Sequence, residues 1–256
     1  MQTLERAGLL AHSRSRAFLR REREALEWLE DVLSRHRAVT SWSGGKDSTV
    51  TAHLAWRVAR APAAFLDSGG EHPLSRAWIP GAAARMGLDH SVHDPRLTYV
   101  DLLELAYEFG ANSAYLPPGF VREFIIYETS EAACERWGAG AYLLGLREEE
   151  SRARTLTAAV HGDEHLSARS GLTRLLPVLR WSTEDVLAYI ARHDLPLHPA
   201  YTAERLPGEK LTDIRVGVIT DPVAQHTGRT WAKLRQFHPE AFNRLRARLP
   251  SVPWPA

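Results

Sequence analysis

A pair of glycines flanked by serine, lysine and aspartate follows a short apolar run. The stretch reads Ser43, Gly44, Gly45, Lys46, Asp47 and Ser48. Glycines let backbone N–H groups approach an anion closely, and the first turn of a following helix adds unpaired N–H groups and a positive dipole end. Lys46 adds a point charge, and the serine hydroxyls can donate to phosphate oxygens. The stretch therefore predicts a phosphate-binding turn between a strand and a helix.

Asp47 would repel a phosphate at this turn unless a cation intervenes. A magnesium ion commonly bridges phosphate oxygens and one carboxylate, so Asp47 is the predicted metal ligand. The spacing of the glycines is neither that of a Walker A loop nor that of the dinucleotide motif G-x-G-x-x-G. The alternative is a plain glycine turn that begins a helix.

A second candidate anion site follows the apolar residues 141–145. Arg147, Arg152 and Arg154 lie there together with Ser151. The planar fork of arginine makes paired, charge-assisted hydrogen bonds with phosphate or sulfate. The alternative is a charged surface turn in which Glu148–Glu150 neutralise the arginines.

Three blocks of the sequence resemble one family. Residues 43–48, Ser-Gly-Gly-Lys-Asp-Ser, resemble the PP-loop of the N-type ATP pyrophosphatases and of the phosphoadenosine phosphosulfate (PAPS) reductase family. Residues 145–154, Gly-x-Arg-x-x-Glu-Ser-x-x-Arg, resemble that family's second motif, whose Arg and Ser residues face the phosphate end of the nucleotide. Residues 177–201 resemble the segment after the arginine loop, and their apolar spacing indicates scaffold. The resemblance covers residues 38–201.

The resemblance implies a set of site residues and ligands. Asp67 joins the set because it ends a second apolar run, and the carboxyl ends of parallel strands meet at one sheet edge. The predicted nucleotide- and phosphate-binding residues are Ser43, Gly44, Gly45, Lys46, Asp47, Ser48, Asp67, Gly145, Arg147, Ser151 and Arg154. The predicted catalytic residues are Lys46, Asp47, Arg147 and Arg154. The implied ligands are ATP or a related adenine nucleotide and Mg²⁺.

The chain departs from the family at the cysteines. Many members carry Arg-x-Gly-Cys-x-x-Cys-Pro near the C-terminus, whereas residues 215–222 here have Val218 and Asp221 at the cysteine positions. Neither side chain can replace a thiolate as nucleophile or iron ligand. Cys134 is the only cysteine, and its apolar helix predicts a buried packing role. We therefore expect no iron–sulfur cluster and no self-sufficient reduction.

Adenylyl transfer is the chemistry that the nucleotide site alone could perform. The implied reaction is attack of an oxyanion such as sulfate or a carboxylate on the α-phosphorus of ATP, with pyrophosphate released. ATP sulfurylase small subunits resemble the chain in the same blocks. Two alternatives stay open, namely a sulfonucleotide-binding enzyme that uses a partner's reductant and a nucleotide-sensing subunit without turnover.

The order of apolar runs predicts an α/β protein. A mostly parallel central sheet flanked by helices is expected, resembling the adenine nucleotide alpha-hydrolase-like (Rossmann-like) fold. Strands are predicted at 38–41, 63–67, 90–93 and 141–145, and helices at 13–36, 49–60, 74–86, 121–137 and 182–193. The predicted organisation is an N-terminal amphipathic helix (1–37), a nucleotide-binding domain (38–227) and a helical tail (228–256).

Composition limits the partners. The 256 residues carry a net charge of +1, with 44% hydrophobic and 25% charged residues, so nucleic-acid binding is not indicated and a soluble globular protein is expected. The absence of a run of about 18 apolar residues predicts a cytoplasmic protein without membrane contact. The expected partners are a small-molecule nucleotide and an unidentified oxyanion acceptor, and the long N-terminal helix is compatible with a homodimer or a protein partner.

Two further segments have ambiguous patterns. His161 and His165 lie four residues apart, but Gly162 between them favours a solvated loop over a metal-binding helix. Residues 112–119 form an irregular run that reads equally as a lid over the site and as a rigid connector.

Overall fold

Six short strands form one sheet in a computed structural model, which describes residues 3–108, 122–214, 216 and 229–250. The strands are β1 (Ala38–Ser41), β2 (Ala63–Leu66), β3 (His90–His93), β4 (Ala141–Leu143), β5 (Glu164–Leu166) and β6 (Thr173–Leu175). Their order across the sheet is β3-β2-β1-β4-β6-β5. Each neighbouring pair is parallel except β5 and β6, which are antiparallel. The predicted mostly parallel sheet is confirmed.

Helices connect and cover the strands. They are α1 (Thr3–His12), α2 (Arg16–Arg35), α3 (Lys46–Ala59), α4 (Ser75–Met86), α5 (Tyr99–Glu108), α6 (Glu128–Trp137), α7 (Arg152–His161), α8 (Thr183–Arg192), α9 (Arg229–Phe237) and α10 (Pro239–Arg248). A π-helical turn, Arg122–Tyr127, leads into α6. The predicted helix over 13–36 is α2, which Ser15 caps by accepting a hydrogen bond from the Phe18 N–H.

Alternating residues of β1 face two apolar layers. Ala38 packs with α2, α3 and α8, whereas Val39 packs with Cys134 of α6 and Tyr142 of β4. The spacing of Trp181, Val186, Ile190 and Leu195 predicts packing residues, and all four are in the first layer. Helices therefore cover both faces of β1.

Some boundaries differ from the predictions. α3 begins at Lys46 rather than at residue 49, so Lys46 and Asp47 lie in its first turn. The predicted loop around His161 and His165 is wrong, because His161 ends α7 and His165 lies in the edge strand β5. A strand of three residues is too short to leave a clear periodic pattern.

Within the described residues 229–250, the predicted helical tail contains the two helices α9 and α10, with Trp231, Leu234 and Phe242 packed together. Ser182 caps α8 by accepting a hydrogen bond from the Asp185 N–H. Residues 112–119 lie outside the described residues, as do residues 215–222 apart from Val216. Within the described part of the chain, no helix combines the length and the apolar composition that crossing a bilayer requires.

Candidate functional site

The predicted phosphate-binding turn lies at the carboxyl edge of the sheet. β1 is flanked by β2 and β4, so the segments that follow these three strands are neighbours. The turn at 43–48 follows β1, the segment 67–73 follows β2, and the arginine segment 145–154 follows β4. Ligands in open α/β sheets bind at this edge.

The turn itself has the geometry of an anion cradle. Gly44 has φ +79°, and a Cβ added there would lie 3.2 Å from the Trp78 ring. Gly45 precedes the first residue of α3 without any side-chain cap, so first-turn N–H groups of α3 face this turn. The Ser43 and Ser48 hydroxyls lie 3.1 Å apart beside it. Backbone and hydroxyl donors therefore converge where a phosphate would bind.

Asp47 lies between two cations. Its Oδ2 accepts from Lys46 Nζ at 2.8 Å, and its Oδ1 accepts from Arg147 Nε at 2.6 Å. Lys46 and Arg147 are almost fully buried, with exposed fractions of 3% and 2%. The structure thus joins the two predicted anion-binding blocks through a buried cluster of Lys46, Asp47 and Arg147, which we call the charge cluster.

Arg147 is held from several sides. Its guanidinium also contacts the Glu149 carboxylate and donates to the Trp181 carbonyl oxygen at 3.3 Å. Burial acts to raise the pKa of Glu149, but hydrogen bonds from Thr183 and Arg147 outweigh it, and the pKa is lowered. Glu149 is therefore an anionic partner that fixes the orientation of Arg147.

Gly145 brings the arginine segment against the turn. A Cβ added to Gly145 would lie 2.6 Å from the Asp47 carbonyl carbon and 2.6 Å from the Ser48 nitrogen. Real Cβ contacts are never that short, so only glycine allows the two backbones to meet. The structure gives Gly145 a packing role at the site, and its predicted contact with phosphate stays a prediction.

The remaining predicted residues make local contacts. Ser151 caps α7 by accepting from the Arg154 N–H at 3.2 Å, and the Arg154 guanidinium pairs with Glu150. Asp67 accepts from Arg76 Nη1 at 2.7 Å. The structure therefore links Arg147 directly to the turn through Asp47. The ion pairs that it shows for Arg154 and Asp67 are with Glu150 and Arg76, which lie outside the turn.

Three residues, two beside the turn and one in the segment after β2, had no role assigned to them from the sequence. The Lys46 N–H donates to the Tyr201 hydroxyl at 3.1 Å, and the His198 ring lies beside Gly44. Both belong to the block that apolar spacing marks as scaffold. Burial lowers the pKa of His198 to about 3, so this imidazole is neutral at physiological pH. In the sequence, only their position after the arginine segment indicates that Tyr201 and His198 could lie at the site.

Glu71 is the third such residue. Its Oε1 accepts from the Ser68 hydroxyl, whereas its buried Oε2 has no hydrogen-bond partner among the described residues. Burial raises the pKa of Glu71 to about 7, and the nearby charge of Asp67 adds to the effect. The position of Glu71 after β2 is predictable from the sequence, but its orphaned oxygen is not.

Cys134 has the predicted packing role. It is buried on α6, and its thiol points to the Ala141 carbonyl oxygen at 3.7 Å. Burial raises the pKa of Cys134 to about 11. A thiol in this state is a poor nucleophile and a poor metal ligand at neutral pH.

The donor set fits a nucleotide phosphate better than it fits an isolated metal ion. The first turn of α3, which has no N-cap side chain and whose Lys46 N–H donates to the Tyr201 hydroxyl, suits an anion together with the two serine hydroxyls and the Lys46 ammonium. Asp47 is the carboxylate that could hold Mg²⁺, although both its oxygens contact cations. Mg²⁺ is commonly held by one carboxylate together with phosphate oxygens, so a metal fits here only together with the nucleotide.

Comparisons with known proteins agree with this architecture. A family model described as the phosphoadenosine phosphosulfate reductase domain matches residues 37–237. The adenosine 5'-phosphosulfate reductase of Streptomyces coelicolor is 28% identical over 183 residues, covering 70% of this chain and 71% of that protein. Sulfate adenylyltransferase subunit 2 of Burkholderia lata is 27% identical over 216 residues, covering 73% and 69%.

A solved structure shares the fold. The PAPS reductase of Candida auris, solved as a phosphate complex, matches with a TM-score of 0.53 at 16% identity, covering 77% of this chain and 88% of that one. The sheet order, the flanking helices and this likeness give the adenine nucleotide alpha-hydrolase-like fold. The chain belongs to the phosphoadenosine phosphosulfate reductase domain family.

Proposed function

We propose that the chain binds ATP or a related adenine nucleotide over residues 43–48 and transfers its adenylyl group to an oxyanion acceptor. The acceptor oxygen attacks the α-phosphorus, the bond from that phosphorus to the bridging oxygen breaks, and pyrophosphate leaves with the electron pair. The charge cluster at the start of α3 is the observation that carries this proposal, because it places buried cations beside backbone donors.

Each group has a defined task in the proposal. The first-turn N–H groups of α3 and Lys46 hold the leaving pyrophosphate, and Arg147 stabilises charge on the five-coordinate phosphorus. Glu149 and the contact at Gly145 keep Arg147 oriented. Asp47 is the residue that would hold magnesium, which would supply further neutralisation of negative charge on the phosphates.

The single cysteine favours this chemistry over reduction. Reduction of a sulfonucleotide needs an attacking thiolate or a cluster held by thiolates, and the buried Cys134 supplies neither. A sulfonucleotide-binding enzyme that uses a partner's reductant is the second candidate, because a reductase is among the relatives. The sulfate adenylyltransferase subunit among the relatives supports sulfate as the first acceptor to try.

The test is pyrophosphate release from ATP and Mg²⁺, with and without sulfate or a panel of carboxylates. Lys46→Ala and Arg147→Ala are expected to lower the rate at least about a hundredfold, since each removes a group that stabilises the transition state. Arg35→Ala is the matched control. Arg35 ends α2 just before β1, whereas the turn follows the opposite end of β1, and Arg35 pairs with Asp31 and Glu164. Tight nucleotide binding without acceptor-stimulated release would refute adenylyl transfer.

A further inference from the structure

Three potential metal ligands converge beside the nucleotide turn. They are His72 from the segment after β2, Glu204 after the helical turn Pro199–Tyr201, and His238 between α9 and α10. His72 Nε2 lies 2.8 Å from Glu204 Oε2, and His238 Nε2 lies 2.8 Å from Glu204 Oε1. One ligand atom from each residue lies within 4.8 Å of the other two. We call these residues the His–Glu–His cluster.

From this cluster we infer a binding site for a divalent transition metal of the zinc type, held by His72, Glu204 and His238. Imidazole nitrogen and carboxylate oxygen are common zinc ligands at about 2.0–2.2 Å. Tetrahedral geometry then sets ligand atoms about 3.3 Å apart. In the structure the three ligand atoms all lie within 4.8 Å of one another, and His72 Nε2 is 2.8 Å from Glu204 Oε2, so small side-chain adjustments reach that spacing.

The charge balance of the cluster favours a cation. Glu204 is buried, and among the described residues its ion-pair partners are the two histidines alone. The neighbouring Lys233 is paired with Glu209 at 2.6 Å. A divalent ion held by the three residues would supply positive charge beside this buried carboxylate.

Metal binding requires a change of tautomer at His72. The Leu74 N–H donates to His72 Nδ1 at 3.3 Å, which places the ring proton on Nε2 in the neutral form. Coordination through Nε2 moves that proton to Nδ1 and gives up this long, weak hydrogen bond. The competing state is a hydrogen-bonded triad without metal, and the two states differ in metal content and in spectrum.

The position of the cluster indicates what the metal would do. The His72 ring packs on the His198 ring at 4.7 Å, and His198 lies beside Gly44. His238 belongs to the junction of the two C-terminal helices. The metal would fasten α9 and α10 to the segment after β2, one aromatic ring away from the nucleotide turn. With three protein ligands, one coordination position stays open to water or another donor.

The experiment uses the full chain without a polyhistidine tag and without nucleotide or Mg²⁺, so it does not depend on the proposed function. Metal content is measured after purification, and the chelator-treated protein is titrated with ZnCl₂ by calorimetry. We expect about one zinc per chain, with a Kd in the micromolar range or below. Titration with Co²⁺ should give visible absorption of the strength typical of four-coordinate sites.

Two kinds of variant make the test specific. Glu204→Gln keeps the shape of the side chain and should weaken zinc binding at least about tenfold, and His238→Ala should abolish it. The double variant His161→Ala, His165→Ala is the matched control, because it removes another pair of neighbouring histidines, with rings 5.2 Å apart. It should bind zinc as the parent does.

Circular dichroism checks that each variant is folded. A parent chain that binds no zinc at hundred-micromolar concentration would overturn the inference, as would a Glu204→Gln chain whose zinc affinity equals that of the parent. Loss of zinc binding in the His161, His165 double variant, with the parent value kept in His238→Ala, would also overturn it by moving the site elsewhere.

Discussion

Replacing Gly145 by alanine tests the contact that joins the two predicted anion-binding blocks. The φ angle of Gly145 lies outside the left-handed region, so the alanine backbone itself is unstrained. The added Cβ, however, would lie 2.6 Å from two backbone atoms of Asp47 and Ser48. These atoms belong to the first turn of α3 and cannot rotate away as a flexible side chain would.

The size of the effect follows from that overlap. Ordinary contact begins at 3.4 Å, so the segment after β4 and the first turn of α3 must separate by about 0.8 Å. Overpacking of this kind costs about 1–3 kcal/mol in free energy of unfolding, offset by about 0.4–1 kcal/mol because alanine restricts the unfolded chain. Under the proposed function, a displacement of about 1 Å between Arg147 and the turn should lower the rate of adenylyl transfer about a hundredfold.

Gly140→Ala is the matched control. Gly140 lies just before the same strand, β4, and a Cβ added there meets no atom within 4 Å. Urea unfolding and acceptor-stimulated pyrophosphate release are measured for both variants. Gly140→Ala should match the parent or be slightly more stable, whereas Gly145→Ala should lose activity by far more than its loss of stability explains. Equal stability and equal activity in the two variants would refute the packing argument.

Three other predictions concern stability and reactivity. Asp185→Asn should lower the free energy of unfolding by about 2 kcal/mol, because the buried carboxylate of Asp185 accepts a hydrogen bond from Arg21 at 3.0 Å. Urea titration measures this loss, and the control Asp31→Asn, at an exposed aspartate, should change the free energy little. Burial raises the pKa of Cys134 to about 11. The Cys134 thiol should therefore react with a disulfide reagent at least about a hundredfold faster in the unfolded chain than in the folded one, and equal rates would contradict its burial. Burial lowers the pKa of His53 to about 4, so the unfolded chain binds the proton first, and stability should fall as the pH drops from about 6.5 to 4. His53→Gln should flatten that slope, and an unchanged slope would assign it to other groups.

The sequence predicts the framework of the site because its signals are local. Residues 43–48 combine strand, turn and helix start in one continuous segment, and the structure places the turn there. Arg147 is separated from the turn along the chain, but parallel strands end at one sheet edge, and this rule brings it to Asp47. The catalytic and ligand-binding roles of both residues remain predictions.

Contacts between distant side chains leave no comparable pattern. Nothing in the spacing of His72, Glu204 and His238 indicates that they meet, because their approach depends on how three separate segments pack. The unpaired oxygen of Glu71 and the hydrogen bond between Tyr201 and the turn likewise depend on how separate segments pack. The short strand β5 is missed for another reason, since three residues cannot show a period of two convincingly.

The pairing within the charge cluster has a consequence for how metal and nucleotide would act together. Lys46 and Arg147 contact Asp47, so a phosphate must compete with that carboxylate for the same cations. Asp47 would hold a magnesium ion in the proposed function, and its carboxylate would then compete less with phosphate for Lys46 and Arg147. Under the proposed function, magnesium therefore raises nucleotide affinity, and by linkage the nucleotide raises magnesium affinity by the same factor. Under the same proposal, Asp47 would restrain the binding of phosphate without metal and would favour the magnesium complex of the nucleotide.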